Sequence, residues 1–255
     1  MHLNHIDSGS GAPVILLHGL FGSARNFGTI QRALAARFRV IAMDARNHGA
    51  SPHAPGMRYP DLAADVADTM DALRISRAAV IGHSMGGKTA MALALTAPDR
   101  VGRLLVADIA PVAYQHENQS VAGAMRAIPL RPGLTRAEAE AALADAVPVP
   151  ALRTFLVQNL QFGAQPCWRI GLEQIAAAIP DLEGWEAPPG TYNGPTLFVT
   201  GAESNYVLPE RRPAIRASFP AARFVSIKNA GHWLHADNPS GFLSVAEAFL
   251  HDWTA

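Results

Sequence analysis

The stretch Ala78-Ala-Val-Ile-Gly-His-Ser-Met-Gly-Gly87 is an apolar run that ends at a serine flanked by glycines. The run predicts a buried strand over 78–82, and residues 85–97 have the apolar spacing of a helix. Ser84 is the centre of a G-x-S-x-G pattern, which places a serine on a sharp strand-to-helix turn that only small neighbours permit. Such a serine is a candidate nucleophile. The amide of Met85, at the start of the helix, can stabilise an oxyanion.

Short apolar runs alternate with amphipathic stretches on both sides of this turn. The alternation predicts βαβ units and therefore an α/β fold, with a mainly parallel central sheet and helices on both faces. The predicted strands are 13–18, 38–44, 78–82, 103–108, 195–200 and 222–227. The predicted helices are 25–36, 60–73, 85–97 and 239–253. Pro98 is expected to end the third helix, because the residue before a proline avoids the α region.

The texture of the chain changes after Pro111. Residues 113–179 contain no convincing strand, are rich in alanine and are interrupted by prolines, which predicts about four short helices. These prolines, with one just beyond the segment, stand at 129, 132, 148, 150, 166 and 180. We therefore expect an α/β core made of 1–111 and 195–255, with a helical cap over 112–194 inserted before the last two strands. Such a cap would cover the carboxyl ends of the strands, where open α/β sheets bind ligands.

Composition excludes several classes of function. The 255 residues carry 21 Lys and Arg against 21 Asp and Glu, so no net basic charge favours nucleic acid. A single cysteine, Cys167, excludes an internal disulfide and a Cys-rich metal site, and His232-x-x-His235 alone has too few ligands for a metal. No leader pattern and no apolar run of membrane-spanning length are present. We expect a cytoplasmic protein without metal, cofactor, nucleic-acid or membrane partner, and leave monomer or homodimer open.

Four segments together resemble the α/β-hydrolase superfamily. They are Gly82-His-Ser-Met-Gly-Gly87, His18-Gly-Leu-Phe-Gly-Ser23, Asp44-Ala-Arg-Asn-His-Gly-Ala-Ser51 and Ala230-Gly-His-Trp-Leu-His-Ala-Asp237. With Val106-Ala-Asp-Ile-Ala-Pro-Val112 and Gly201-Ala-Glu-Ser-Asn-Tyr-Val207, they are similar to the YbfF-type branch of small serine esterases. The resemblance covers nearly the whole chain in order and is weakest in the cap. It implies that the backbone amides of Leu20 and Met85 form an oxyanion hole.

Two histidines compete for the role of general base. His232 and His235 both follow the last predicted strand, at the carboxyl edge of the sheet, and their spacing barely separates them. The family pattern puts the catalytic imidazole directly after Ala-Gly, which favours His232. His235 is then a candidate for the pocket wall. His18 and His48, like His83, belong to turns and are expected to shape them.

The acid departs from the commonest family pattern, an aspartate in a G-x-x-D setting after the strand that follows the cap. Counting from Gly201, that place is Ser204, which cannot balance an imidazolium charge. Two carboxylates remain: Glu203, one residue away, and Asp108, which ends the strand before the cap. Asp108 could orient the imidazole from the other side and fix its tautomer. The similarity of Asp-Ile-Ala-Pro to the YbfF-type branch favours Asp108, in keeping with the Ser, Asp, His chain order of this fold.

The residues and the resemblance predict a carboxylesterase for short to medium acyl esters, acting through a triad of Ser84, Asp108 and His232 and an acyl-enzyme. Its partner is a small-molecule ester. Alternatives on the same fold are thioester, C–C bond or amide hydrolysis, or perhydrolysis. An alternative of another class is a non-catalytic ligand-binding protein. The candidate pocket residues are Phe21, His83, Met85, Phe155, Leu156, Trp168, Tyr206 and Trp233.

Overall fold

Nine strands occur in this computed structural model, which describes residues 1–115 and 118–254. They are β1 (His5–Ser8), β2 (Pro13–Leu17), β3 (Arg39–Met43), β4 (Ala78–His83), β5 (Val101–Ala107), β6 (Leu160–Gln161), β7 (Cys167–Trp168), β8 (Thr196–Gly201) and β9 (Ala222–Ile227). Seven of them form the central sheet in the order β1-β3-β2-β4-β5-β8-β9. Every pair in it is parallel except β1 with β3. The six strands predicted from apolar runs are all present in this sheet.

The edge strand β1 was not expected. It pairs antiparallel with β3, with His5 opposite Met43 and Ser8 opposite Val40. Its four residues are half-buried or exposed, and Ile6 is 38% exposed. A short edge strand needs no continuous apolar run, because one of its sides and much of its surface face water. Apolar periodicity could not reveal it.

Ten α-helices occur in the described part of the chain. They are α1 (Gly28–Leu34), α2 (Tyr59–Ala72), α3 (Met85–Thr96), α4 (Asn118–Arg126), α5 (Arg136–Ala142), α6 (Pro150–Val157), α7 (Leu172–Glu183), α8 (Arg212–Ser218), α9 (Leu234–Asp237) and α10 (Pro239–Leu250). Four of the helices predicted from sequence correspond to α1, α2, α3 and α10. The third ends at Thr96, two residues before Pro98, as expected.

The central strands of the sheet are buried on both faces. Successive side chains of a strand point to opposite sides, and β2 follows this rule: Ile15 and Leu17 belong to one apolar cluster, Val14 and Leu16 to another. The first cluster contains the buried residues of α2 and α3, and the second those of α1 and α10. This two-sided burial explains why the central strands read as continuous apolar runs.

The segment between β5 and β8 holds α4 to α7, the four helices predicted there, but two expectations for it were wrong. Strands β6 and β7 form a hairpin whose strands have two residues each, with Leu160 opposite Trp168 and Gln161 opposite the exposed Cys167. Pairs this short carry no period that a sequence window can detect. Pro180 does not end a helix but lies inside α7, near its carboxyl end.

The division into a core (1–111, 195–255) and a cap (112–194) stays a prediction. Buried residues of α4 to α7 belong to the same apolar cluster as α2 and α3, so the core is continuous across the proposed boundary. Within the residues that the structure describes, no helix combines the length and the apolar character that crossing a membrane requires.

Candidate active site

Ser84 occupies the turn between β4 and α3 in a strained backbone conformation. Its φ of 52° and ψ of −117° lie in a region that residues with a side chain rarely adopt. The flanking glycines are required by close approach: a Cβ at Gly82 would lie 2.2 Å from the carbonyl oxygen of Gly86, and one at Gly86 would lie 2.2 Å from that of Leu17. The turn therefore presents Ser84 at the carboxyl edge of the sheet.

The loop after β2 lies directly beside Ser84, since a Cβ added at Gly19 would be 3.3 Å from the Cβ of Ser84. Two buried histidines shape this loop. His18 accepts the amide of Ala45 at Nε2 (3.0 Å) and donates from Nδ1 to the carbonyl of Gly19 (2.7 Å). His48 accepts the amide of Phe21 at Nε2 (3.1 Å) and donates from Nδ1 to a neighbouring carbonyl (2.9 Å).

Both histidines are neutral. A ring nitrogen that accepts an N–H bond carries no proton, so the single proton of each ring is on Nδ1. Burial lowers the pKa of His18 and lowers that of His48 to about 3. Two amides near Ser84 are left for a ligand. That of Leu20 has no backbone or side-chain acceptor in the described part of the chain, and that of Met85 opens α3, where no intrahelical acceptor exists.

The buried carboxylate of Asp108 lies against His232. The Nδ1 of His232 is 2.8 Å from Oδ2 of Asp108, which follows β5 and has no exposed surface. The amide of Gly201 donates to Oδ1 (3.2 Å), and the hydroxyl of Ser204 donates to Oδ2. Glu203, the other candidate acid, is exposed. The geometry therefore brings Asp108, and not Glu203, to His232.

Ser204 has a part that sequence reasoning missed. It stands at the place of the commonest family aspartate, where it was considered only as a residue unable to balance a charge. In the structure its Oγ donates to the carboxylate of Asp108 and accepts the amide of Tyr206 (3.2 Å). The signal that could have found it is the pairing of a strand-end aspartate at 108 with a hydroxyl at the vacated acid position.

Aromatic contacts hold the ring and backbone of His232. The ring of Tyr206 stacks on it with centroids 3.7 Å apart and planes 18° apart. His83 donates from Nε2 to the carbonyl oxygen of His232 (2.8 Å), and burial lowers the pKa of His83 well below its ordinary value. His235 is buried, stacks on Phe27 at 4.7 Å and makes no contact with the carboxylate of Asp108 among the described interactions.

A cavity of about 490 Å³ contains Ser84 and His232 in its wall. The structure brings the predicted pocket residues to it with one exception: Trp168 lies on the β6–β7 hairpin and does not line this cavity. The predicted residues found in the wall are Phe21, His83, Met85, Phe155, Leu156, Tyr206, Trp233 and His235, together with Leu20. Asp108 lies behind His232, outside the wall. Among the described residues, no three His, Cys, Asp or Glu side chains are grouped so as to hold a metal ion.

Lys88 is a polar wall residue that sequence reasoning missed. It lies on α3, is 2% exposed and donates from Nζ to the carbonyl oxygens of Glu183 (3.2 Å) and Gly184 (2.6 Å) at the end of α7. Burial lowers the pKa of Lys88 to about 7. Its neighbours on α3 are buried all round, so no polar stripe marked the position as special.

Comparisons with known proteins agree with this fold. The family model described as the alpha/beta hydrolase fold matches residues 12–239. The chain belongs to the α/β-hydrolase family. Esterase YbfF of Escherichia coli (strain K12) is 38% identical over 94% of this chain and 94% of its own. The sn-1-specific diacylglycerol lipase ABHD11 of Mus musculus is 38% identical over 97% of this chain and 84% of its own.

A solved structure described as a marine microorganism esterase superposes with a TM-score of 0.94, at 35% identity, covering 98% of this chain and all of that one. The particular relatives thus confirm the resemblance to YbfF-type proteins. They make this chain a serine ester hydrolase of the α/β-hydrolase fold.

The close packing at Gly86 generates a first prediction. Gly86→Ala should lower the free energy of unfolding by about 1–3 kcal/mol, because its Cβ meets the backbone of Leu17, and should reduce ester hydrolysis by displacing the adjacent loop. Gly123→Ala is the matched control, since an added Cβ on that exposed position of α4 meets nothing within 4 Å. It should raise stability by up to about 1 kcal/mol. Urea unfolding measures both, and equal stability of the two variants would contradict the packing argument.

The buried ammonium generates a second prediction. The chain has two lysines, Lys88 and Lys228, so protein labelled with 13C-lysine gives two Cε signals. The Cε signal of Lys88, identified by its loss in Lys88→Met, should titrate with a midpoint near pH 7, because burial lowers the pKa of Lys88 to about 7. A signal that stays constant across this range would show that burial does not shift this group.

Proposed function

We propose that this serine ester hydrolase is a carboxylesterase for short to medium acyl esters that works through Ser84, His232 and Asp108. The observation that carries the proposal is the 2.8 Å contact of His232 Nδ1 with the buried carboxylate of Asp108, in a site where Ser84 and His232 share one cavity. A carboxylate on Nδ1 leaves the Nε2 lone pair of His232 available to take a proton. Those are the parts that nucleophilic catalysis by serine requires.

In acylation, the Oγ of Ser84 attacks the carbonyl carbon of the ester while Nε2 of His232 takes the hydroxyl proton. The carbonyl oxygen becomes an oxyanion, which the amides of Leu20 and Met85 bind. The C–O bond to the alcohol then breaks, and the protonated imidazole gives its proton to the departing alkoxide. Asp108 stays ionised and stabilises the imidazolium that exists between these two transfers.

In deacylation, water takes the place of the alcohol. His232 removes one proton from water, and the hydroxide attacks the carbonyl carbon of the acyl-enzyme, again with the oxyanion on the two amides. The bond from carbon to Ser84 Oγ breaks and His232 returns the proton to that oxygen. The products are one carboxylic acid and one alcohol, and no cofactor takes part in either step.

The acyl-length range is argued from the wall of the cavity. Its volume of about 490 Å³ lies within the range of small-molecule sites. A cavity of this size has room for a short or a medium acyl chain. The part contributed by α6 and the preceding segment is apolar, including Val147, Leu152, Phe155 and Leu156. Apolar walls stabilise an acyl chain by removing its surface from water. The names of the relatives, an esterase and a diacylglycerol lipase, agree with an ester substrate.

The nucleophile is tested directly. Ser84→Ala should reduce hydrolysis of p-nitrophenyl acetate, butyrate and octanoate to the uncatalysed background, because no acyl-enzyme can form. Initial rates on the three esters, with this variant as the blank, also give the preferred chain length. Turnover that persists in Ser84→Ala above background would refute the mechanism. Absence of turnover by the folded wild type would favour an amide, C–C or ligand-binding role.

The acid is tested by a pair of variants. Asp108→Asn should lower kcat by about 10³–10⁴-fold, as expected when the carboxylate that orients a catalytic imidazole is lost. Glu203→Gln, the same chemical change at the exposed candidate, should leave kcat within about twofold, because that carboxylate is solvated. If Glu203→Gln were the crippling variant, the acid assignment would be wrong.

A further inference from the structure

Lys88 lies one helical turn after Ser84, and its ammonium binds the end of the helix α7. The amide of Lys88 donates to the carbonyl of Ser84 (3.0 Å), so the two residues are fixed on successive turns of α3. Its Nζ donates to the carbonyls of Leu182 (3.5 Å), Glu183 (3.2 Å) and Gly184 (2.6 Å). The last carbonyls of a helix have no intrahelical donor and form the negative end of its dipole. The ammonium of Lys88 satisfies three carbonyls there at once.

Four parts of the chain meet at this ammonium. The ring centroids of Tyr59, from α2, and Tyr114, from the segment after β5, lie 5.2 Å and 5.1 Å from Nζ. The hydroxyl of Tyr59 donates to the carbonyl of Leu182 (2.5 Å). The charged groups that face Lys88 are Glu183, which raises its pKa, and Arg211, which lowers it, while burial has the largest effect.

The same cluster reaches the catalytic histidine. The amide of Tyr114 donates to the carbonyl of Glu183 (2.9 Å), and its hydroxyl donates to the carbonyl of Tyr206 (2.7 Å). Tyr206 in turn stacks on the ring of His232. The end of α7 is thus tied to Ser84 through Lys88 and to His232 through two tyrosines.

A lysine here is costly for stability alone. An apolar side chain of similar volume would fill the space without the desolvation of a charge. The Nζ of Lys88 donates to backbone carbonyls, and no salt bridge of the described residues includes it. Leu182 and Glu183, whose carbonyls it binds, are also wall residues of the cavity. The contact therefore fixes the distance from the nucleophile to one wall of the pocket.

We propose that Lys88 is a positioning residue that holds the end of α7 against the Ser84 turn and thereby sets which acyl lengths the pocket accepts. This inference rests on the ester-hydrolase function proposed above. Lys88 does not touch the reacting atoms; it acts through Leu182, Glu183 and Tyr114. Loss of the ammonium lets the wall move, which disturbs the seating of a long acyl chain more than that of an acetyl group.

The experiment compares Lys88→Met and Lys88→Arg with Lys228→Met, which makes the same change at the exposed lysine. For each protein we would measure kcat and KM on p-nitrophenyl acetate and octanoate, the rate at which diisopropyl fluorophosphate phosphorylates Ser84 with loss of fluoride, and thermal unfolding. Lys88→Met should lower the octanoate-to-acetate ratio of kcat/KM by about tenfold or more, since misplacement of a wall by about 1 Å has effects of this size. The loss should be mainly in KM, with the rate of Ser84 phosphorylation nearly unchanged.

Lys88→Arg keeps the charge and should restore part of the ratio, and Lys228→Met should match the wild type. An unchanged ratio in folded Lys88→Met would overturn the proposal. So would an equal loss in the hydrolysis of both esters and in the phosphorylation of Ser84, which would indicate a general structural role. Wild-type protein without Ser84-dependent hydrolysis would instead contradict the function itself.

The wild type supplies a second measurement that does not depend on a variant that folds. The octanoate-to-acetate ratio should fall with rising pH, at the midpoint found for Lys88 by NMR, because the neutral amine holds the carbonyls of α7 less strongly. A ratio that stays flat while Lys88 loses its proton would overturn the proposal as well.

Discussion

The buried charge of Asp108 is the constraint around which the site is organised. A carboxylate without exposed surface is unstable in a protein interior unless donors surround it. Its donors here come from the end of β8 (Gly201), the loop after it (Ser204) and the loop after β9 (His232). Segments that are distant in sequence must therefore meet at one point for the charge to be tolerated, and their meeting also sets the tautomer of His232.

A comparison with three buried histidines shows what the carboxylate of Asp108 contributes to His232. His18, His48 and His83 each donate a ring proton to a backbone carbonyl, and burial lowers the pKa of all three. They serve as neutral braces for the loops on either side of Ser84. His232 has the same chemistry but has a carboxylate at Nδ1, so it can become charged during a reaction without loss of its position.

The fold and the Ser84 turn could be predicted because both depend on local rules. Two-sided burial makes the central strands continuous apolar runs, and the close approach at Gly82 and Gly86 demands glycine. The spacing of residues could not separate His232 from His235, which required the family resemblance. The contacts of Lys88 were not predictable, because the carbonyls that it binds lie 94 to 96 residues away and only the folded chain brings them together. The prediction that Trp168 lines the pocket was wrong, because strands of two residues have no periodicity that would have revealed the β6–β7 hairpin.

The contact of Ser204 with Asp108 joins two segments that are distant in sequence. The two residues are 96 positions apart, yet their side chains meet beside the same imidazole nitrogen. The end of β5 and the loop after β8 therefore both place a side chain at the same point of the site. A carboxylate could therefore approach Nδ1 of His232 from either position without any movement of the imidazole.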